Sequence, residues 1–293
     1  MFKHKIYLII LTLAILASCK KEDDLGDVSQ IPGLGGDTWA GGTIDTWIRD
    51  TLTVPFNVSA KYKWDQGELE FDKTLTPPKE EKIIPVLSSI KKVWIDNYVK
   101  EAGKTFMMKY IPKYFVLVGS ASWNTDGTIT LGTAEGGRRI ILYVLNDFRV
   151  KGMTGFVPGD SVNIKEMFHT IEHEFGHILH QNVMYPEAWK RISVGDYTSS
   201  WNLTTDSSAR AKGFITMYAQ SNPDDDFVEM ISMMLTEGKG GYEAILSDIT
   251  NPTGLSKLRQ KETMVVSYFK DVWGINFASL QARTRNSIDQ LIK

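Results

Sequence analysis

Met167-Phe168-His169-Thr170-Ile171-Glu172-His173-Glu174-Phe175-Gly176-His177-Ile178-Leu179-His180 is the stretch on which the reading of this chain turns. Ile164, Met167, Phe168, Ile171, Phe175, Ile178 and Leu179 recur at helical spacing, and Ser161 is an N-cap candidate, so residues 161–182 read as one amphipathic helix. Four of the five histidines, His169, His173, His177 and His180, fall within twelve residues of it. Scattered core histidines do not cluster in this way.

Residues four apart on a helix share a face, with Cβ atoms about 5–6 Å apart. His173 and His177 can therefore offer ring nitrogens to one zinc ion at about 2.0–2.1 Å. Glu174 lies about 100° further round the axis. It is badly placed to ligate and well placed to reach a water at the metal, which is the physical content of an H-E-x-x-H pattern. Zinc brings the pKa of such a water toward about 7, and Glu174 could take its proton and later pass it to a leaving amine. The bland alternative is a surface helix that carries His and Glu by chance. Gly176 speaks for a built site, since glycine inside a helix costs about 1 kcal/mol relative to alanine and implies a neighbouring backbone passing close beneath. His169 extends the ladder of histidines but fits support or surface placement better than ligation. His180 follows His177 by three residues and reads as packing or support.

Two histidines leave a catalytic zinc one protein ligand short. The segment Tyr218-Ala219-Gln220-Ser221-Asn222-Pro223-Asp224-Asp225-Asp226-Phe227-Val228-Glu229-Met230 offers candidates. Proline near a helix start, acids in the first turn, and then Phe227, Val228, Ile231, Met234 and Leu235 describe a capped helix with a buried face. Asp225 and Glu229 share a face, so one can ligate zinc while the other hydrogen-bonds a ligand histidine. Spacing alone does not say which. Attraction to the helix N-terminus accounts for acids at 224–226 without any metal, but not for Glu229 on an apolar face.

The chain has 293 residues, 42% apolar and 23% charged, with net charge -2. That is ordinary for a globular protein and gives no pointer to nucleic acid; none is expected as a partner. The single cysteine, Cys19, excludes an intramolecular disulfide and a cysteine zinc site. Lys3, His4 and Lys5 precede an apolar run, Ile6 to Ala17, of signal-peptide length. The run ends in Leu16-Ala17-Ser18-Cys19, which resembles a bacterial lipobox with Cys19 as the lipidated residue. The expected organisation is a lipoprotein signal peptide over 1–19, a flexible tether over 20–42 rich in glycine, and a catalytic domain over 43–293. Lys20-Lys21-Glu22-Asp23-Asp24 resembles the export tag of surface lipoproteins of certain Gram-negative bacteria, which implies an outer-membrane, surface-exposed location.

Strand character is expected over 51–64, from the alternation of Val54, Phe56 and Val58, and over 113–120 and 138–145. Asn124-Thr125-Asp126-Gly127 signals a hairpin turn. Helices are expected over 80–101, 186–193, 223–237, 253–272 and 276–292 besides the histidine helix. Strands early and helices late give an α+β class. Arg138 to Tyr143 is a candidate edge strand to which a peptide could add; an ordinary central strand is the alternative.

The H-E-x-x-H helix, the tyrosine and the acid-x-x-x-acid helix about fifty residues later resemble the gluzincin group of zinc peptidases. The lipobox start with HEFGHILHQ and YAQSNPDDDFVEM resembles, more narrowly, the zinc-binding metallopeptidase lipoproteins of glycan-import loci. The resemblance implies a zincin-like fold, a Zn2+ cofactor, ligands at His173 and His177, and the base at Glu174. It puts the first acid on Asp225, where gluzincins carry glutamate, and the second on Glu229. Aspartate is one methylene shorter, so either Asp225 ligates from a closer helix, or Glu229 ligates with Asp225 in support; the motif order favours Asp225. Tyr218 matches the tyrosine that donates to the developing oxyanion. The implied substrate is a protein or glycoprotein, and the implied neighbours are an outer-membrane nutrient transporter and its binding protein. The competing expectations are a non-catalytic binding or scaffold lipoprotein that keeps a zincin fold, against which the intact Glu174 argues, and zinc hydrolysis of a non-peptide bond. An EF-hand is excluded because Asp224-Asp225-Asp226 lacks the alternate spacing, and no Gly-x-Ser-x-Gly pattern supports a serine hydrolase.

Overall fold

The computed structural model describes residues 41–293, apart from 71, 125, 126, 128, 131, 136 and 137. The leader, Cys19 and the tether up to residue 40 lie outside the described residues. The first element is a helix, α1, over 43–56, which runs through a π-helical turn at Arg49–Thr53. The expected strand over 51–64 is therefore wrong for most of its length. Leu52 and Phe56 are buried and Val54 is exposed, a helical and not an alternating pattern. Only Ser59–Lys61 forms a strand, β1. Helix α2 then covers 80–102, again with an internal π-helical turn at Lys91–Ile95, and stops at Gly103. A short helix not foreseen in the sequence, α3, follows at Lys104–Tyr110.

Strand β2, Tyr114–Leu117, lies between β1 and β6, Arg139–Leu142, and is parallel to both. Between β2 and β6 in sequence come a small hairpin of β3, Ser122–Trp123, with β4, Ile129–Thr130, and then β5, Gly132–Glu135. The Gly127 amide donates to the Asn124 carbonyl across the expected turn. Strand β5 pairs antiparallel with β6, giving the order β1-β2-β6-β5. Residues 138–143 are thus an internal strand, and the edge belongs to β5.

The pleat explains how this sheet is covered on both faces. Successive side chains point to opposite sides. Phe115, Leu117, Ile140 and Leu142 join the main core with the helices. Val116, Val118, Ile141 and Tyr143 form a second cluster with Leu69 and Leu75.

After residue 150 the chain is helical: α4, Asp160–Asn182; α5, Ala188–Ile192; α6, Asp206–Lys212; α7, Pro223–Ser247, kinked at Gly238; α8, Pro252–Trp273; and α9, Phe277–Ile292. This is the α+β class, helix-rich with small sheets. Gly159, not Ser161, stands at the N-cap of α4. Asp160 there takes the Val157 amide at 2.9 Å and both arms of Arg149, while Ser161 donates back to the Pro158 carbonyl. Phe175 fastens the inner face of α4 to α2 and α3, edge-on to Trp94 at 5.1 Å, Tyr98 at 4.9 Å and Phe106 at 6.3 Å. Among the described residues no helix is long and apolar enough to cross a membrane.

Candidate metal centre

Helices α4 and α7 approach each other at Gly176. A Cβ at that position would lie 2.9 Å from Val228 Cγ1 and 3.0 Å from Val228 Cβ. The close neighbour is thus a side chain of α7, not the backbone that the sequence suggested. The approach places the second turn of the H-E-x-x-H motif directly against the acidic start of α7. At the other side of α4, Gly132 of the edge strand β5 lies so close that a Cβ would meet Thr170 Cγ2 at 2.7 Å. The edge strand therefore runs along the histidine helix.

Three ligand atoms converge between the two helices. His173 Nε2 and His177 Nε2 are 3.1 Å apart. Asp225 Oδ1 is 3.3 Å from the latter and 3.8 Å from the former. A tetrahedral zinc with bonds of about 2.0–2.1 Å has ligand–ligand edges of about 3.3 Å, which these separations bracket. Two imidazoles and one carboxylate, with a further position open, also make up the donor set of a catalytic zinc site. The residues fit the metal.

Asp225 reaches this position because it sits in the first turn of α7. Asn222 caps that turn, accepting from the amides of Asp224 and Asp225. Its own amide donates to Asp225 Oδ2 at 2.6 Å, and Ser221 Oγ donates to the same atom at 2.5 Å. One carboxylate oxygen is thereby held by the protein, and Oδ1 faces the histidines. Against the effect of burial, His177, the Ser221 hydroxyl and His173 hold Asp225 below the usual carboxylate range.

Glu229, one turn on, occupies a different place. Its Oε1 lies 2.8 Å from His173 Nδ1 and 2.8 Å from His169 Nε2. Thr216 donates to its Oε2 at 2.6 Å. Separations of 2.8 Å are hydrogen-bond distances and are short for two atoms sharing a zinc. Accepting from Nδ1–H leaves the Nε2 lone pair of His173 directed at Asp225 and His177, the arrangement that orients a metal-binding imidazole. His177 has a different support, its Nδ1 lying 2.9 Å from His180 Nε2. His180 is buried against Tyr185 and Phe227.

Glu174 is half-buried beside the triad. Burial raises its carboxyl above the ordinary range, against the pull of His173 and His177. Tyr218 lies against His173, ring centres 5.8 Å apart, and Trp201 packs edge-on to its other side at 4.8 Å. Burial and the nearby carboxylates of Asp225 and Glu229 push the phenol well up, so it stays protonated.

A protein-family model described as "Putative zinc-binding metallo-peptidase" matches residues 37–278. This chain belongs to that family. Of the solved structures, the crystal structure of "a putative zinc-binding metallo-peptidase from Bacteroides caccae ATCC 43185" is 32% identical to it, with a TM-score of 0.70, over 85% of this chain and 93% of that one. A search of curated proteins finds no match. The zinc-binding description agrees with the His and carboxylate groups brought together here.

Within this zinc-binding metallopeptidase fold, several neighbours of the site escaped sequence reasoning. Ser221 and Thr216 carry no motif, although Asn222 ahead of Pro223 has the form of a helix cap. Asp224 and Asp226 have partners of their own. Tyr185 donates to Asp224. Asp226 is fully buried with Lys261, 2.7 Å away and equally inaccessible, and accepts from Tyr197 at 3.0 Å. Glu172, next to His173, points to the opposite side of α4. It is fully buried and accepts from Tyr98 at 2.8 Å, and burial raises its carboxyl to about 8.

Proposed function

We propose that this chain hydrolyses peptide bonds, with zinc held by His173, His177 and Asp225 and with Glu174 as general base. The observation that carries the reading is the division of labour at α7. Asp225 Oδ1 turns to the two Nε2 atoms, and Glu229 takes the Nδ1 side of His173. When bound, zinc supplies Lewis-acid chemistry, making water nucleophilic near neutral pH and polarising a carbonyl. Glu174 takes the proton of the attacking water on its carboxylate and delivers it to the leaving amine. Its raised affinity for protons suits both steps. The Tyr218 hydroxyl, kept protonated, donates to the oxygen that gains charge. Strand β5, which lies beside α4 and pairs on one side only among the described strands, offers backbone groups to an extended peptide.

The leader supports the remainder of the proposal. Cys19 carries the lipid, the acidic tether directs the protein to the outer face of the outer membrane, and the substrates are proteins or glycoproteins handled beside a nutrient transporter and its binding protein. Protease accessibility on intact cells, compared between wild type and Cys19→Ser, tests the location.

The activity is tested with purified protein on a peptide library, alongside metal content by mass spectrometry. One zinc per chain, cleavage by wild type, and a Glu174→Gln variant that keeps zinc but cleaves about 10²–10⁴-fold more slowly are the expected results. Zinc bound without cleavage of any peptide would defeat the peptidase reading and favour a binding lipoprotein. Loss of zinc in Glu174→Gln would defeat its role as base.

A further inference from the structure

His169 is one turn before His173 on α4, and neither the metal triad nor the catalytic steps above use it. Its Nε2 lies 2.8 Å from Glu229 Oε1, the same oxygen that is 2.8 Å from His173 Nδ1. Ser232 Oγ, which donates to the Glu229 carbonyl, is 3.4 Å from that nitrogen as well. Glu229 is almost fully buried. A buried carboxylate needs donors on both of its oxygens to hold its orientation toward the histidine it supports. Thr216 fixes Oε2. Without His169, Oε1 would be fixed by His173 alone, the residue it is meant to orient.

We propose that His169 is a positioning residue that acts on the metal centre through Glu229. The chain His169–Glu229–His173 sets the direction of His173 Nε2, and so the separation of the three ligand atoms. The inference rests on the metal-site reading above. A rival account makes His169, His173 and Glu229 a second metal site, since their ligand atoms also lie within 4.8 Å of one another. It would require His173 to bridge two ions through both ring nitrogens, and the two 2.8 Å contacts fit hydrogen bonds better. The outer side of His169 opens on a cavity of about 290 Å³ lined by Lys165, Glu166, Met233 and Glu237. Substitutions there can be absorbed without repacking the core.

The test is the zinc dissociation constant, by competition with a chromophoric chelator, for wild type, His169→Leu and His169→Gln. Leucine fills the space without a donor; glutamine keeps an N–H. His169→Leu is expected to weaken zinc about tenfold and His169→Gln to stay within about threefold of wild type, as for partners that orient a ligand histidine. In a Glu229→Leu background, His169→Leu is expected to have no further effect. Equal losses for leucine and glutamine, no loss for leucine, or a full loss retained in the Glu229→Leu background would overturn the proposal. So would two zinc ions per wild-type chain with one lost on substituting His169. If the Glu229→Leu protein does not fold, the comparison of leucine with glutamine decides alone. A wild type that binds no zinc would overturn the metal-site reading itself, and this inference with it; one zinc with an indifferent His169 overturns the inference only.

Discussion

Gly176→Ala is a small change with a calculable consequence. The added methyl would sit 2.9 Å from Val228 Cγ1, 3.0 Å from Val228 Cβ and 3.6 Å from Ile231 Cδ1. Carbon atoms rest at about 3.5–4.0 Å, so α4 and α7 must part by roughly 0.6–1 Å. Val228 cannot swing aside easily, because a β-branched side chain in a helix has one strongly preferred rotamer. Overpacking of this kind costs about 1–3 kcal/mol, offset by about 1 kcal/mol of better helix propensity. Because the two closest contacts fall on a stiff residue, the net loss should be about 1–2 kcal/mol, read as a lower urea midpoint. The same parting moves Asp225 away from His173 and His177, so zinc binding should weaken as well. Val228→Ala removes Cγ1, the nearer of the two clashing atoms, and leaves Cβ, so it relieves part of the overlap. The Gly176→Ala/Val228→Ala pair should therefore show a favourable coupling of about 1 kcal/mol or more in a double-mutant cycle. A Gly176→Ala protein as stable as wild type with unchanged zinc affinity would refute the argument, as would simple additivity in the cycle.

Other substitutions separate the roles around the site. Tyr218→Phe should leave zinc content unchanged and lower kcat about 10²–10³-fold; equal activity would remove the hydroxyl from the reaction. Lys261→Met leaves Asp226 buried without its cation and should cost about 3–5 kcal/mol, with a smaller loss when Asp226→Leu is added, both followed by chemical denaturation. Glu172 has a folded-state pKa raised by burial from 4.5 to about 8. The fold thus favours the neutral form, and this contribution is complete below about pH 4.5 and lost as pH rises toward 8. Metal-free wild type should lose stability across that window at up to roughly 1.4 kcal/mol per pH unit, and Glu172→Gln should flatten the slope; parallel curves would show that Glu172 does not titrate there.

The histidine helix was legible because two signals coincide on it, helical spacing of apolar residues and histidines four apart. Four of the five later helices were legible for the first of these reasons, and the fold class with them; α6, Asp206–Lys212, was not foreseen. Residues 51–56 were misread as strand because Val54, Phe56 and Val58 alternate locally, while the helical pattern of Ile44, Trp47, Ile48 and Leu52 begins immediately after the glycine-rich tether. Strand β5 contains Gly132, Thr133, Ala134 and Glu135, with no apolar alternation to betray it. It exists because β6 offers an unpaired edge, a tertiary fact that no local pattern carries. The choice between Asp225 and Glu229 was likewise not local. Both lie on one face of α7, and what separates them is which histidine nitrogen each meets, set by the Ser221 and Asn222 hydrogen bonds and by the depth of α7 against Gly176.

The start of α7 has a consequence for how metal enters and leaves. Asp224, Asp225 and Asp226 are consecutive, yet each is held from a different direction, by Tyr185, by Ser221 with Asn222, and by Lys261 with Tyr197. These anchors are protein groups, and none of them needs an ion as a partner. Asp225 is therefore held in one position by protein groups, and little conformational freedom would remain to be surrendered by it on binding an ion. Small zinc domains that fold only around their metal behave otherwise. Here a chelator should strip the ion and leave a folded protein that regains it on simple addition.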